Sequence, residues 1–183
     1  MSWYKSRLIN ARKWLPGLVL LTGLHACRPQ VSNNGAFDLS GFIKKDAAHL
    51  KKLNRPVVKT VYQNGVSETK TVHIENWEHE LGLFIDADIN KPTWRNNYRV
   101  TTEDSLLVYR QKGTDQKVTE LIINTVNKKI RWILIYTKTP KNDIYTTTQK
   151  LVYYPDSLYT IDIQQDVRFM KRNYYRVRGE IRN

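Results

Sequence analysis

The sequence feature that most constrains the fold is a series of β-rich runs between Trp94 and the end of the chain. Short polar segments, such as Pro155-Asp156-Ser157, separate these runs. Connections this short join neighbouring antiparallel strands, because parallel neighbours need a crossover of about a dozen residues or more. The pattern therefore predicts an antiparallel meander of about seven strands. Its runs are NYRVTTE, SLLVYRQ, VTELIINTV, IRWILIYTKT, IYTTTQKLVYY, LYTIDIQQDVRF and NYYRVRGEIR.

Two of the runs predict how the sheet is covered. In IRWILIYT, apolar side chains alternate on both faces, which is typical of a central strand that is covered on both sides. In NYYRVRGEIR, Tyr175 and Val177 alternate with charged residues, so Arg176, Arg178 and Arg182 are expected on a solvent-exposed face. A curved sheet or an open barrel, with helices against its concave side, satisfies both patterns.

Helices and a β-hairpin precede the meander. Apolar residues recur every three or four positions over 38–53, which predicts a helix that Arg55-Pro56 ends. The following segment alternates with period two around Asn64-Gly65, which is a hairpin signal. Asn76 can cap a second helix through its side-chain oxygen. The predicted fold class is therefore α+β, with two N-terminal helices, a β-hairpin between them, and then the meander of about seven strands.

The first 26 residues have the composition of a secretory signal peptide. Four basic residues and no acidic residue precede an apolar run from Trp14 to Leu24. As a helix, the 11 residues of that run would cover about 16 Å, at ~1.5 Å per residue. The hydrocarbon core of a bilayer is about 30 Å thick, so the run is too short for a permanent span.

The segment Leu24-His25-Ala26-Cys27 resembles the lipobox of bacterial lipoproteins. The resemblance implies that a lipoprotein signal peptidase recognises Leu24 and Ala26, and that Cys27 receives a diacylglyceryl group and an acyl chain such as palmitate. It also implies an outer-membrane destination, with which Arg28 is compatible. The implied organisation is a signal peptide over 1–26, a flexible tether over 27–37 and one globular domain over 38–183.

The stretch WEHELGLFIDADINKPTW, followed by the tyrosine-rich meander, resembles small uncharacterised lipoproteins of the Bacteroidota type. Two metal-binding motifs within it are incomplete. HELGLF has Leu83 where a zinc-protease helix has its second histidine. DADIN continues to Lys91 and Asn97, where an EF-hand loop has glycine and a bidentate acid. We therefore predict no metal and no cofactor.

Four side chains in this region are the candidate catalytic residues. They are Glu75, His79, Asp86 and Asp88. Carboxylates and imidazoles can perform general acid–base chemistry, so these residues define an alternative function as an envelope hydrolase. That alternative requires the four groups to converge in one cleft with shifted pKa values.

The balance of charge indicates the class of partner. The chain carries 30 basic and 17 acidic residues, and four of the basic residues belong to the signal peptide, which leaves 26 against 17 and a net charge of +9. A solvated surface explains such a charge, and so does attraction to anionic lipid or glycan headgroups. An exported protein seldom meets nucleic acid, so we expect no nucleic-acid partner. The sequence predicts a lipid-anchored, non-enzymatic binding or structural module of the cell envelope, with an anionic lipid, a glycan or an envelope protein as its partner and Arg176, Arg178 and Arg182 as candidate anion-binding residues.

Overall fold

The computed structural model describes residues 36–139 and 144–182. Its helices are α1 (Leu39–Leu53), α2 (Trp77–Glu80), α3 (Gly82–Asp86) and a 3-10 helix (Pro92–Asn97). Its strands are β1 (Val57–Gln63), β2 (Val66–Val72), β3 (Tyr98–Glu103), β4 (Leu106–Gln111), β5 (Val118–Val126), β6 (Lys129–Lys138), β7 (Tyr145–Tyr154), β8 (Leu158–Val167) and β9 (Asn173–Ile181). No helix in these two described ranges has the length and apolar character of a membrane span.

All nine strands form one antiparallel sheet in the order β2-β1-β9-β8-β7-β6-β5-β4-β3. From β3 to β9, each strand pairs with the next strand along the chain, so the β-rich runs form a continuous meander. The N-terminal hairpin joins the same sheet, because β1 pairs with β9 from Val57–Ile181 to Gln63–Tyr175. The edges are β2 and β3, and the sheet is open.

The predicted α+β class with a mostly antiparallel sheet is confirmed. The predicted arrangement of helices and hairpin is wrong in two respects. The second helix is broken at Leu81 into α2 and α3, because Gly82 follows and glycine has the highest entropic cost in a helix. The hairpin is not a separate unit between helices, since it extends the sheet of the meander beyond β9.

The ends of α1 and the turn of the hairpin are set by short polar residues. The Asp38 carboxylate accepts a hydrogen bond from the Gly41 N–H at 2.8 Å and caps the start of α1. Asn54 adopts a left-handed conformation, with φ 47°, and ends the helix. Asn64 and Gly65 have φ values of 47° and 99°, as a two-residue type I′ hairpin turn requires.

The helices pack on one face of the sheet, which we call the helix-covered face. α1 places buried residues at three- and four-residue spacing, and α2 and α3 continue the apolar layer. Each fully buried large apolar side chain contributes about 1.5–3 kcal/mol to folding, so this layer is the main source of stability. Its members include Leu39, Ile43, Leu50, Leu81, Phe84, Ile133, Ile135, Leu151, Tyr153 and Tyr159.

The opposite, outer face differs from its prediction at β6. The helices α1 to α3 contact the helix-covered face, and Trp132, Leu134 and Tyr136 on the outer face remain half-buried. The prediction that β6 is covered on both sides is therefore wrong. Leu134 pairs with Ile122 on β5 and Val152 on β7, so the apolar residues of this face shield one another across the strands.

Candidate ligand-binding cleft

The lipidation prediction concerns residues outside the described chain. Leu24, Ala26 and Cys27 all precede Ala36, with which the described residues begin. Phe37 is already part of the core, because it is buried and its backbone N–H donates a hydrogen bond to the Tyr109 hydroxyl at 3.0 Å. The chain therefore enters the domain against β4, directly before α1.

Three of the four candidate catalytic residues are exposed side chains that the structure does not bring together. Glu75, His79 and Asp86 lie on the surface at α2 and at the end of α3. Among the described hydrogen bonds and ion pairs, none links these side chains to one another. The described ranges also contain no group of three or more His, Cys, Asp or Glu side chains arranged to hold a metal ion.

The fourth candidate, Asp88, has a structural contact that accounts for its position. Its half-buried carboxylate lies near the backbone N–H groups of Asn90, Ser40 and Leu39, and its Oδ1 atom has no hydrogen-bond partner among the described residues. Burial raises the pKa of Asp88, and the interaction with these N–H groups opposes that rise. Asp88 therefore ties the loop after α3 to the start of α1, where the helix dipole favours a negative charge.

The candidate anion-binding arginines lie on the outer face of β9, as predicted, but each has an internal partner. The Arg176 guanidinium contacts the Asp162 carboxylate, to which the Tyr174 hydroxyl also donates a hydrogen bond at 2.8 Å. Arg178 and Arg182 share the Glu180 carboxylate, at 2.8 Å and 3.6 Å. An anion bound at these arginines would have to compete with the two carboxylates. The anion-binding role of Arg176, Arg178 and Arg182 remains a prediction.

A cleft lies between α1 and the turns that connect β5 with β6 and β7 with β8. We call it the α1 cleft, and its volume is about 880 Å³. The α1 side of the cleft and both turns supply apolar lining, which favours contact with the apolar part of a ligand. The apolar lining residues are Phe37, Phe42, Ala48, Ile130 and Pro155.

Four lysines line the same cleft. Lys45 and Lys52 come from α1, and Lys128 and Lys129 come from the β5–β6 turn and the start of β6. Within residues 36–139 and 144–182, no carboxylate lies within ion-pair distance of these four ammonium groups. Lys128 also has φ 62° beside Asn127 with φ 50°, so it occupies a position of a type I′ turn that normally holds glycine.

The acidic residues of the cleft, in contrast, already have partners. Asp38 caps α1, and Asp156 lies 3.5 Å from the His49 imidazole. The Asp46 carboxylate accepts a hydrogen bond from the Tyr153 hydroxyl. Burial raises the pKa of Asp46, and the hydrogen bond from Tyr153 counteracts part of that effect. The lysines are therefore the groups that remain available to a ligand.

A partly buried polar cluster connects α2 to the sheet. Glu80 accepts hydrogen bonds from the Tyr159 hydroxyl at 2.5 Å and from the Lys59 ammonium at 2.8 Å. Burial and the hydrogen bond to Glu80 raise the pKa of Tyr159, so its hydroxyl stays a donor. The Tyr159 ring lies against Gly179, where a β-carbon would come within 2.2 Å of ring atoms. The close fit and the complete pairing indicate a structural role for this cluster.

Sequence reasoning missed the lysines of the cleft because the elements that carry them are distant in the chain. Lys45 and Lys52 are seven residues apart and so lie on one stripe of α1, and this spacing by itself indicates only the solvated side of an amphipathic helix. Asn127-Lys128 by itself indicates only a polar turn between two β-rich runs. A lysine where a hairpin turn favours glycine was the one local signal that could have identified this region.

Taken together, the cleft combines an apolar lining with a cationic rim. That combination complements a molecule with an apolar chain and an anionic headgroup. No protein-family model, curated protein or solved structure matches this chain. The residues that line the cleft are therefore what indicates the chemical class of its ligand.

Proposed function

We propose that this protein is a non-enzymatic binding module of the bacterial cell envelope, anchored at the outer membrane through lipid on Cys27. The anchor is supported by the signal-peptide composition of 1–26 and by the resemblance of Leu24-His25-Ala26-Cys27 to a lipobox. The ligand we propose is an amphipathic anion that binds in the α1 cleft. In this proposal the sheet curves around α1, so that the two turns reach the exposed side of the helix.

One observation carries the proposal for binding: four lysines without a carboxylate partner in the described ranges surround an apolar lining. Each exposed charge pair is worth about 0.2–1 kcal/mol, so four pairs supply at most about 4 kcal/mol. Association costs at least about 4 kcal/mol in lost translational and rotational freedom. A small inorganic anion would therefore gain almost no affinity. An apolar chain adds about 0.8 kcal/mol for each buried CH₂ group, which is why the ligand must be amphipathic.

The binding proposal is tested by titrating the protein with dodecyl phosphate below the concentration at which it forms micelles. The protein carries Cys27→Ser, so that no attached acyl chain competes for the cleft. We expect the double substitution Lys45→Ala/Lys129→Ala to weaken binding about tenfold, because it removes two headgroup contacts. Isothermal titration calorimetry measures this change, and inorganic phosphate should give no detectable heat with either protein.

The matched control removes the same charge at the other end of the sheet. The control is Lys112→Ala/Lys117→Ala. Both lysines lie in the β4–β5 turn, at the end of β5 that is distant from the cleft. We expect this control to bind dodecyl phosphate like the parent protein. Equal weakening by both double substitutions would show that the effect is only one of net charge, and the cleft would not be the binding site.

The anchor is tested by following labelled palmitate in cells that express the protein. Cys27 is the only cysteine of the chain, so Cys27→Ser should abolish incorporation of the label and move the protein out of the membrane fraction. Arg28→Ser, next to the attachment site, should retain both properties. Continued labelling of the Cys27→Ser protein would show that the anchor is not at this cysteine.

A further inference from the structure

The β8–β9 turn carries an exposed apolar tip at the end of the sheet opposite the α1 cleft. Phe169 is 93% exposed and Met170 is 69% exposed. Ile144, which is 68% exposed, lies beside them, because its carbonyl accepts a hydrogen bond from the Arg168 N–H at 2.9 Å. We call Ile144, Arg168, Phe169, Met170 and Lys171 the tip. Large apolar side chains that are this exposed and close together in the fold are a feature of interaction sites.

The backbone at Phe169 gives a second, independent indication. The Met170 N–H donates a hydrogen bond to the Val167 carbonyl at 3.0 Å, so Phe169 is the third residue of a tight turn. Its φ is 65°, and turns with positive φ at this position normally hold glycine or asparagine. A bulky side chain in this conformation is a rare outlier, and such outliers concentrate at functional sites. Stability of the turn therefore does not explain why the residue is phenylalanine.

Positive charge surrounds the apolar centre of the tip. The Arg168 guanidinium lies 5.0 Å from the centroid of the Phe169 ring. In the part of the chain that the structure describes, no carboxylate pairs with Arg168 or Lys171. The next cation along the chain, Arg172, is paired with Asp166 at 2.5 Å, so it does not belong to the tip. Among the described residues, the tip thus presents apolar side chains flanked by two cations that have no carboxylate partner.

We propose that the tip inserts into the interface of an anionic lipid bilayer. Phe169 and Met170 enter the boundary between headgroups and acyl chains, and Arg168 and Lys171 remain at the level of the lipid phosphates. Anionic lipid fits better than zwitterionic lipid, because each cation near a negatively charged leaflet adds to the attraction. This contact uses neither Cys27 nor the α1 cleft, so it is independent of the proposed function.

The length of β8 limits the distance between the α1 cleft and a bilayer into which the tip inserts. β8 runs from the β7–β8 turn, which lines the cleft, to the β8–β9 turn, which carries the tip. Its 10 residues rise by about 3.3 Å each, or roughly 30 Å in total. Insertion of the tip therefore places the cleft up to about 30 Å from the bilayer surface, and the full distance applies when β8 is perpendicular to that surface.

The experiment attaches an environment-sensitive fluorophore to the tip of the full chain. In a Cys27→Ser background, Met170→Cys supplies the single thiol for labelling with a nitrobenzoxadiazole dye. We expect a blue shift and at least a twofold rise in emission on addition of phosphatidylcholine vesicles that contain phosphatidylglycerol. A spin label on the lipid acyl chains should quench this emission. The control label at Val126→Cys, at the end of β5 and at the opposite end of the sheet, should show neither change.

Two substitutions separate insertion from folding. Phe169→Asn should abolish the spectral change at position 170 while it raises Tm by about 2–4 °C, because asparagine accepts a positive φ more readily. Arg168→Gln/Lys171→Gln should weaken the response to anionic vesicles about tenfold. The absence of any spectral change with anionic vesicles would overturn the proposal and leave a protein partner as the occupant. An equal response to vesicles of phosphatidylcholine alone would overturn the assignment to anionic lipid.

Discussion

Left-handed backbone conformations occur at seven non-glycine residues of the described chain. Five of these seven residues are Asn or Asp, whose short side chains hydrogen-bond locally and tolerate a positive φ. The two exceptions are Lys128 in the α1 cleft and Phe169 at the tip. At the scale of single residues, the two candidate interaction surfaces therefore coincide with the two side chains that turn geometry disfavours.

This coincidence gives a prediction for the stability of the β5–β6 turn. We expect Lys128→Gly to raise the free energy of unfolding by about 1 kcal/mol, because glycine adopts a positive φ without the penalty of a β-carbon. The corresponding rise in Tm is about 2–4 °C, measured by thermal unfolding. The same substitution should weaken the binding of dodecyl phosphate, since it removes one ammonium group from the rim of the cleft.

The neighbouring lysine is the control for that prediction. Lys129 begins β6 and does not have a positive φ. Lys129→Gly removes the same charge but should lower the free energy of unfolding by about 0.5–1 kcal/mol, because glycine weakens a strand. Equal destabilisation by both substitutions would show that the left-handed conformation of Lys128 carries no cost.

At the scale of elements, the burial of Asp46 where α1 packs near β7 makes stability depend on pH. The Tyr153 hydroxyl of β7 donates a hydrogen bond to Asp46 of α1, and burial raises the pKa of Asp46 above its ordinary value of 3.8. The folded state therefore holds the Asp46 proton more tightly than the unfolded state does. Stability from this group is fully present below pH 3.8 and is lost as the pH rises through the raised pKa.

The measurement compares the parent protein with Asp46→Asn, whose side-chain oxygen can still accept the bond from Tyr153. As the pH rises from 3.8 to neutrality, we expect the parent to lose stability relative to Asp46→Asn. Urea unfolding at both pH values gives this difference, and contributions from other groups cancel in the comparison. A difference between the two proteins that does not change with pH would contradict the assignment of the pH dependence to Asp46.

The local elements were predictable where one physical signal determined them. Period-two apolar patterns and short polar turns located the strands of the meander, and Asn64-Gly65 located a hairpin turn. The pairing of β1 with β9 was not predictable, because no local signal links residues more than 100 positions apart. The α1 cleft depends on the same kind of distant contact, since α1 meets turns that lie far along the chain.

At the scale of the whole molecule, the positive charge is distributed differently from what the sequence indicated. The alternation in β9 drew attention to Arg176, Arg178 and Arg182, yet Asp162 and Glu180 neutralise much of their charge. Among the described residues, the four lysines of the α1 cleft and the two cations of the tip have no such partner. A sequence gives the net charge of a chain, but only the folded structure determines which cations remain available to a partner.

The position of β9 has a consequence for the order in which the chain can complete its fold. β9 is the last of the nine described strands along the chain, yet it lies inside the sheet between β1 and β8. The hairpin and the meander thus cannot join before β9 is in place, and pairing between segments so distant in sequence is intrinsically slow. The pairing of β1 with β9, which completes the sheet, is therefore the step that we expect to limit the rate of folding.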